Sequence, residues 1–248
     1  MDSRTLTFTT LSLIVGFIGG FVLANKLNGT EIAELRAQTS QRPAANSNTA
    51  QSATPGSQPT LTAEELREKI AEADRNSGNF IFQKDLGIAL YRYAAMQQDE
   101  QMLTEAARIL ERADSLKPRD FDVLVALGNA HFDIGFYKED AASFQTARDV
   151  YTRALEIRPN DPDVQTDVGI SYFIQQPPAL DRAAAQLKKV TDANPNHGRS
   201  LQFLVQTYIK QNKLPDAEKA LARLKSIEPS NPAITDLSTK LSAAQAGS

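Results

Sequence analysis

The chain has 248 residues, of which 41% are hydrophobic and 23% are charged, with a formal net charge of -3 and no Cys. This composition is typical of a folded globular chain. Without Cys, the chain cannot form a disulfide framework, a thiol nucleophile or a thiolate metal site. The longest basic run is Lys188-Lys189, which is too short to neutralise several phosphates. We therefore expect no nucleic-acid partner.

Candidate catalytic and metal-ligating residues are few. His197 has neither Cys nor another His near it in the sequence, which argues against a metal site. His131 occupies a position at which later, similar segments carry Tyr172 and Tyr208, so we interpret it as a packed core residue. Acidic pairs such as Glu64-Glu65 are common on helices and do not indicate acid–base catalysis. We expect no enzymatic activity, no metal and no other cofactor.

The first part of the chain is strongly apolar. Residues 5–25 contain no charged side chain, and about 20 residues at the rise of a helix span the hydrocarbon core of a bilayer. After a short tail at residues 1–4, we predict a transmembrane helix that acts as a signal-anchor over residues 5–25. A cleaved signal peptide is the alternative, because residues 22–24 place small side chains at a suitable cleavage point. Gly16 and Gly20 form a GxxxG pattern, which predicts close packing of two membrane helices.

The segment after this helix predicts a tether and suggests a location. Residues 37–60 are rich in Gln, Ser, Thr, Ala and Pro, with Arg42 as their only charge, so they cannot bury enough apolar surface to become ordered. We predict a juxtamembrane segment and disordered linker over residues 26–61. By analogy with other signal-anchors, we predict a single-pass protein of the bacterial inner membrane with its C-terminal part in the periplasm. With a cleaved signal peptide, the protein would instead be soluble in the periplasm.

Four prolines recur behind similar apolar patterns and indicate an internal repeat. They are Pro118, Pro159, Pro195 and Pro229, and their intervals of about 34 to 41 residues are typical of repeat proteins. Twelve, eight and five residues before each proline stand an Ala, a large residue and a further apolar residue: Ala106, Leu110 and Ala113; Ala147, Tyr151 and Ala154; Ala183, Leu187 and Val190; Ala217, Leu221 and Leu224. Further upstream stand the pairs Leu86-Gly87, Leu127-Gly128, Val168-Gly169 and Leu204-Val205. Small residues at matched positions allow two helices to approach closely, so each copy predicts a helical hairpin.

These positions resemble the motif of the tetratricopeptide repeat family, which runs from a large–small pair through an aromatic residue, a central Ala and a bulky residue to a closing Pro. Residues 198–231 match the spacing of the family without an insertion. The resemblance implies an all-α, right-handed solenoid of four helical hairpins between capping helices. We divide it into an N-terminal capping helix at 62–79, repeats at 80–120, 121–161, 162–197 and 198–231, and a C-terminal capping helix and tail at 232–248.

The first two repeats are extended. Gly87 precedes Pro118 by the same interval as Gly128 precedes Pro159, and this interval is seven residues longer than the one from Val205 to Pro229. Seven extra residues correspond to about two helical turns. We therefore predict that the first two hairpins project beyond the others.

Helix starts carry suitable capping residues. Thr62 begins a capping-box pattern, in which a hydroxyl and a Glu three residues later satisfy free backbone amides. Asp120, Asp161 and Asn231 precede the predicted first helices of the second repeat, the third repeat and the terminal helix, and Pro follows the cap in the last two cases. These residue types favour helix entry at those points.

In the tetratricopeptide repeat family, which this chain resembles, the first helices of the hairpins line a groove that binds an extended peptide or a partner helix. Carried over by position, the resemblance implies contacts from Lys84, Ile88, Tyr91, Arg92, Asn129, Phe132, Asp133, Ile170, Phe173, Gln202, Gln206 and Lys210. For Tyr91, Phe132 and Phe173, core packing between hairpins is the alternative. Asn129 stands where similar proteins use an amide to hold the backbone of a ligand.

Some members of the family clamp a terminal carboxylate with Lys, Asn and Arg at set positions of three successive copies. In this chain only Lys84 matches that pattern, while Ile88, Ala126 and Asp167 stand at positions that would have to be amide or basic. We therefore expect no carboxylate clamp.

The leading functional hypothesis is a membrane-anchored scaffold or adaptor that binds a protein or peptide partner within the bacterial envelope. Residues 125–170 also look like anchored bacterial repeat proteins that assist cytochrome c maturation, so an assembly factor that receives apocytochrome is an alternative. A third hypothesis is a structural, self-assembling envelope subunit, in which Gly16, Gly20 and the extended hairpins form a homo-oligomer.

Overall fold

The computed structural model describes residues 63–247, which fold into ten α-helices and confirm the all-α prediction for this part of the chain. The helices are α1 (Ala63–Arg75), α2 (Phe80–Gln97), α3 (Glu100–Leu116), α4 (Phe121–Tyr137), α5 (Ala141–Ile157), α6 (Pro162–Ile174), α7 (Leu180–Ala193), α8 (Gly198–Lys210), α9 (Leu214–Ile227) and α10 (Ala233–Ala246). The predicted transmembrane helix with Gly16 and Gly20, the linker and the Thr62 cap lie outside the described residues. No helix within residues 63–247 is both long and apolar enough to cross a membrane.

Helices α2 to α9 form four consecutive hairpins. The two helices of each hairpin pack against each other along their length, and loops of two to five residues join them. Each second helix also packs against the first helix of the next hairpin. Helix α1 contacts α2 at one end of the array, and α10 covers both helices of the last hairpin at the other. Such terminal helices shield the apolar faces that a stack of hairpins leaves open.

The first helices form a continuous surface. Each of α2, α4 and α6 contacts the first helix of the following hairpin, and α8 contacts α10. Within the described range, the second helices make no comparable contacts with one another. The first helices therefore form an inner wall, which we define as the joint surface of α2, α4, α6 and α8, and the second helices form an outer layer.

The repeated small residue of the sequence motif is the point of closest approach within each of the first three hairpins. A Cβ atom added to Gly87 would lie 2.8 Å from Leu110 Cδ2, and one added to Gly128 would lie 2.5 Å from Tyr151 Cε1. At Gly169, the corresponding distance to Leu187 Cγ would be 2.7 Å. These distances are shorter than van der Waals contact, so the large residue of the second helix requires a glycine opposite it.

The extra residues of the first two hairpins are shared between their helices. Helices α2 to α5 have 17 or 18 residues, whereas α6 to α9 have 13 or 14. Each long helix therefore carries about one additional turn.

The predicted caps at Asp120 and Asp161 are confirmed, since their carboxylates accept hydrogen bonds from the backbone amides of Val123 and Val164. The terminal helix begins one residue later than predicted: Asn231 Oδ1 accepts from the backbone amide of Ala233 at 2.9 Å, and Pro232 lies at the cap position itself. Four further side-chain caps, which were not predicted, lie at Asn79, Asp99, Asp140 and His197.

The close approach at Gly128 predicts a specific loss of stability. We expect Gly128→Ala to lower the free energy of unfolding by about 1–2 kcal/mol, because the cost of overpacking a buried ring exceeds the gain in helix propensity. Tyr151 is 1% exposed and has little room to move. Urea denaturation followed by circular dichroism measures the change.

The matched control is Gly78→Ala, because an added Cβ at Gly78 meets no atom within 4 Å. This variant should stay within about 0.5 kcal/mol of the parent. Equal denaturation midpoints for the two variants would show that the glycine position does not limit helix approach.

Candidate functional site

The twelve residues predicted to line a groove all lie on the four helices of the inner wall, but their exposure differs widely. Arg92 and Lys210 are exposed. Five residues are half-buried: Lys84, Ile88, Phe132, Gln202 and Gln206. The other five are buried: Tyr91, Asn129, Asp133, Ile170 and Phe173. The inner wall thus presents fewer freely accessible side chains than the positional assignment implied.

Lys84 joins two helices of the wall. Its Nζ lies 2.8 Å from Asp120 Oδ1 and 2.9 Å from Asp122 Oδ2, at the start of α4. Burial lowers the pKa of Lys84, but hydrogen bonds to Asp120 and Asp122 outweigh it and raise the pKa above its ordinary value. The charge of Lys84 is therefore already compensated within the fold.

The aromatic residues of the wall pack against other aromatic rings. Phe132 meets Phe144 edge-on with ring centroids 5.6 Å apart, and Phe173 meets Phe203 in the same way at 5.8 Å. Lys210 Nζ lies 4.5 Å from the centroid of Phe173, a cation–π contact. Phe173 is only 7% exposed, so most of its surface serves packing between hairpins.

Asn129 makes one hydrogen bond in the interior. Its Oδ1 accepts from Tyr151 Oη at 2.7 Å, and both residues are buried. This contact fixes the side chain directly beside the close approach at Gly128. The Nδ2 group makes no hydrogen bond with the described residues, and an amide can donate through it while Oδ1 is engaged. Asn129 can therefore still donate to a ligand.

Two buried carboxylates lie on adjacent helices of the wall, Asp133 on α4 and Asp167 on α6. Asp167 forms an ion pair with Arg199 of α8. Asp133 faces Tyr91 from α2 and Asp167 from α6, and it forms no ion pair within the described part of the chain. Asp133 is thus a buried acid without a cationic partner.

The environment of Asp133 raises the pKa of its carboxyl group. The pKa of Asp133 is raised to about 7, mainly by burial and also by the charge of Asp167, against the opposing effect of the nearby Tyr91 hydroxyl. The Tyr91 hydroxyl is close enough to favour the ionised carboxylate, but the two groups fall short of hydrogen-bonding geometry. Burial also raises the pKa of Asp167, against the opposing charge of Arg199.

A second tyrosine lies near the same carboxylate. The pKa of Tyr137 is raised to about 12, mainly by burial and also by the charges of Asp133 and Glu100. The hydroxyl oxygens of Tyr91 and Tyr137 are both enclosed, and neither has a hydrogen-bond partner in the described residues. We call the group formed by Tyr91, Asp133 and Tyr137 the Asp133 site. Tyr91 and Asp133 were predicted by position, whereas Tyr137, which lies at the end of an extended helix, was not.

The two histidines have structural roles. His131 Nε2 lies 3.4 Å from Glu111 Oε1, and burial lowers the pKa of His131 against the opposing effect of Glu111. His197 caps α8, with Nδ1 2.6 Å from Ser200 Oγ and Nε2 3.1 Å from Asp163 Oδ1. Residues 63–247 contain no group of three or more His, Cys, Asp or Glu side chains placed to hold a metal ion.

The contacts of His197 have the order of a Ser–His–Asp triad, but they do not form a nucleophilic site. Ser200 is 0% exposed, and its Oγ also lies 2.6 Å from Thr166 Oγ1. A substrate carbonyl cannot reach this oxygen, as nucleophilic attack requires. The cluster instead joins the start of α6 to the start of α8.

The raised pKa of Asp133 predicts a stabilising substitution. The folded-state pKa lies above that of an unfolded Asp, so ionisation of Asp133 destabilises the fold as the pH rises from about 4 to about 7. We expect Asp133→Asn, which keeps the shape without the charge, to raise the free energy of unfolding at pH 8 by on the order of 3 kcal/mol. The difference should vanish near pH 4, where the native carboxyl is also neutral.

Urea denaturation at pH 4, 6 and 8 tests this expectation, with Asp149→Asn on the exposed face of α5 as the control. A variant at Asp133 that is less stable than the parent at pH 8 would mean that the carboxylate has a compensating partner in the fold.

Comparisons with known proteins agree with this architecture. Residues 179–241, from α7 into α10, match the family model described as a tetratricopeptide repeat. No curated protein matches the sequence. Among solved structures, a TPR protein, YrrB, whose structure is described as having an unusual peptide-binding site, is 19% identical with a TM-score of 0.54, covering 71% of this chain and 82% of its own.

MamA from Desulfovibrio magneticus RS-1 is 18% identical with a TM-score of 0.53, over 68% of this chain and 86% of its own. Another crystal structure of MamA is 18% identical with a TM-score of 0.52, over 66% of this chain and 81% of its own. At these identities, the likeness concerns the fold alone. Residues 179–241 thus match a tetratricopeptide repeat, and the described helices as a whole share the fold of these TPR proteins.

Proposed function

We propose that this chain is a non-enzymatic scaffold that binds a peptide or a partner helix along its inner wall. The observation that carries the proposal is the set of polar groups on the wall that have hydrogen-bonding capacity left over. Asn129 retains a free donor beside its bond to Tyr151. The half-buried Gln206 has an enclosed Nε2 without a partner in the described residues, which a rotation of the side chain would bring to the surface. Polar groups of this kind are suited to the backbone of an extended ligand.

The physical form of the wall supports the same proposal. Four helices from four hairpins form one continuous surface, so a ligand can contact several repeats at once. Buried contacts hold its supporting residues in place, among them the ion pair of Lys84 with Asp120 and the packing of Phe132 on Phe144. A rigid surface loses little conformational entropy when it binds a ligand. The peptide-binding site named in the structure of YrrB shows that a protein of this fold can bind peptides.

We further propose that the scaffold is anchored at the bacterial inner membrane with its repeats in the periplasm. The support is the uncharged run of residues 5–25 and the polar segment at residues 37–60. In this arrangement, the tether lets the repeats reach partners near the membrane. A cleaved signal peptide and a soluble periplasmic protein form the alternative.

Protease protection tests the location. In spheroplasts of cells that express the full chain, added protease should digest the repeats, because they would lie outside the cytoplasmic membrane. Fractionation then separates the anchored form, which stays with the membranes, from the cleaved form, which is released. Repeats that resist digestion until the membrane is lysed would contradict a periplasmic location.

Site-specific photo-cross-linking tests the binding face. A photoreactive amino acid at Arg92 or Gln202, on the accessible part of the inner wall, should capture a partner in living cells. The same amino acid at Lys189 or Glu218, which are exposed on the second helices α7 and α9, provides the matched control. Adducts that form only from the control positions would show that the partner binds the outer layer and not the inner wall.

A further inference from the structure

The Asp133 site is chemically incomplete. Asp133 is 8% exposed and carries no cationic partner within the described helices. An isolated buried carboxylate costs several kcal/mol relative to one in water, and folds normally compensate it with a cation or with hydrogen bonds. The neighbouring Asp167 shows that compensation, because Arg199 forms an ion pair with it.

The two tyrosines provide an independent observation. Tyr91 is 3% exposed, and its hydroxyl, like that of Tyr137, is enclosed without a hydrogen-bond partner in this part of the chain. Buried polar atoms are nearly always hydrogen-bonded in folded proteins. The Tyr91 hydroxyl acts on the pKa of Asp133, and Asp133 in turn raises the pKa of Tyr137. These unsatisfied oxygens near an uncompensated carboxylate indicate that the group lacks a partner.

The chemistry of the site selects the charge of that partner. The site offers the carboxylate of Asp133, which keeps 8% of its surface exposed, and two phenolic oxygens that are enclosed and become acceptors for a ligand only when their side chains move. A Lys ammonium or an Arg guanidinium carries several donors and a positive charge, so it would satisfy these acceptors and neutralise Asp133. An anion would be repelled by Asp133 and Asp167, and an apolar group would leave the charge without compensation.

We propose that the Asp133 site binds a Lys or Arg side chain of a peptide held along the inner wall. This inference rests on the proposed function and adds to it the charge of one residue of the partner. Arg92 and Lys210 lie on the same wall as exposed cations, and they disfavour a long basic tract. The site therefore selects a peptide with one basic residue at a defined position.

The proposal predicts a pH dependence of binding. The cation requires the ionised form of Asp133, whose pKa of about 7 means that this form increases between pH 6 and pH 8. A Lys or Arg side chain stays charged throughout this interval. The other titratable groups near Asp133 are Tyr91, Tyr137 and Tyr151, which titrate higher, and Asp167, which is paired with Arg199. Affinity should therefore rise about tenfold from pH 6 to pH 8.

The experiment uses the full chain in detergent and a displayed library of random 12-residue peptides, selected at pH 8. The tightest peptides are synthesised, and each Lys is replaced by norleucine or each Arg by citrulline in turn. Fluorescence anisotropy then gives the dissociation constants with the parent protein, with Asp133→Asn and with the control Asp149→Asn. Urea denaturation of each variant separates loss of binding from loss of folding.

We expect one basic residue of the peptide to be essential, with at least about a tenfold loss when its charge is removed. Asp133→Asn should cause a similar loss and abolish the pH dependence, and the two changes together should cost little more than either alone. The control should bind like the parent. Peptides that lose affinity in an Arg92→Glu, Gln202→Ala variant but are insensitive to Asp133→Asn would overturn this inference and leave the proposed function standing.

If the full chain selects no peptide that depends on the inner wall, the proposed function fails and this inference fails with it. Binding of free lysine amide or spermidine at millimolar concentration is measured in a further experiment. Binding of either amine through Asp133, without any peptide binding, would assign the site to a small cation and would also overturn the proposal.

Discussion

The close approach of the two helices in a hairpin is the constraint on which the rest of this structure depends. In three hairpins a glycine on the first helix lies against Leu110, Tyr151 or Leu187 of the second, with no space for a side chain between them. This contact fixes the separation and rotation of each pair, and the pairs then stack to form the inner wall. At Gly128 the same contact also positions function, because the ring that occupies the space holds Asn129 through its hydroxyl.

The inner wall combines groups that stabilise the fold with groups that do not. Lys84, Phe132 and Arg199 each have a partner within the chain. Asp133 has none among the described residues, and its buried charge lowers stability at neutral pH. Binding sites commonly retain such unfavourable groups because a ligand supplies the compensation. On the adjacent helices, Lys84 and Asp167 are paired within the fold. Asp133 between them therefore marks the part of the wall where binding and stability conflict.

The sequence predicted the hairpins well because the relevant signals are local and periodic. The four recurring prolines, with Ala and Gly at matched positions before them, report contacts between helices that are adjacent in the chain. The burial of Asp133 and its lack of a partner depend on three helices from three hairpins, so no single periodic pattern encodes them. The pairing of Asp167 with Arg199 follows only from the stacking of α6 on α8. Tyr137 was missed for a similar reason, because the family motif has no position for a residue in an added turn.

The added turn has a consequence for how a ligand is aligned. A wall built from repeats offers similar contacts at each step, so a peptide that used only those contacts could shift by one repeat at little cost. Helix α4 has 17 residues, and Tyr137 is its last, whereas α6 and α8 end after 13 and have no counterpart to it. Because α2 is extended as well, the first two steps of the wall differ from the last two. The difference in helix length would thus fix the register in which a peptide lies along an otherwise nearly periodic surface.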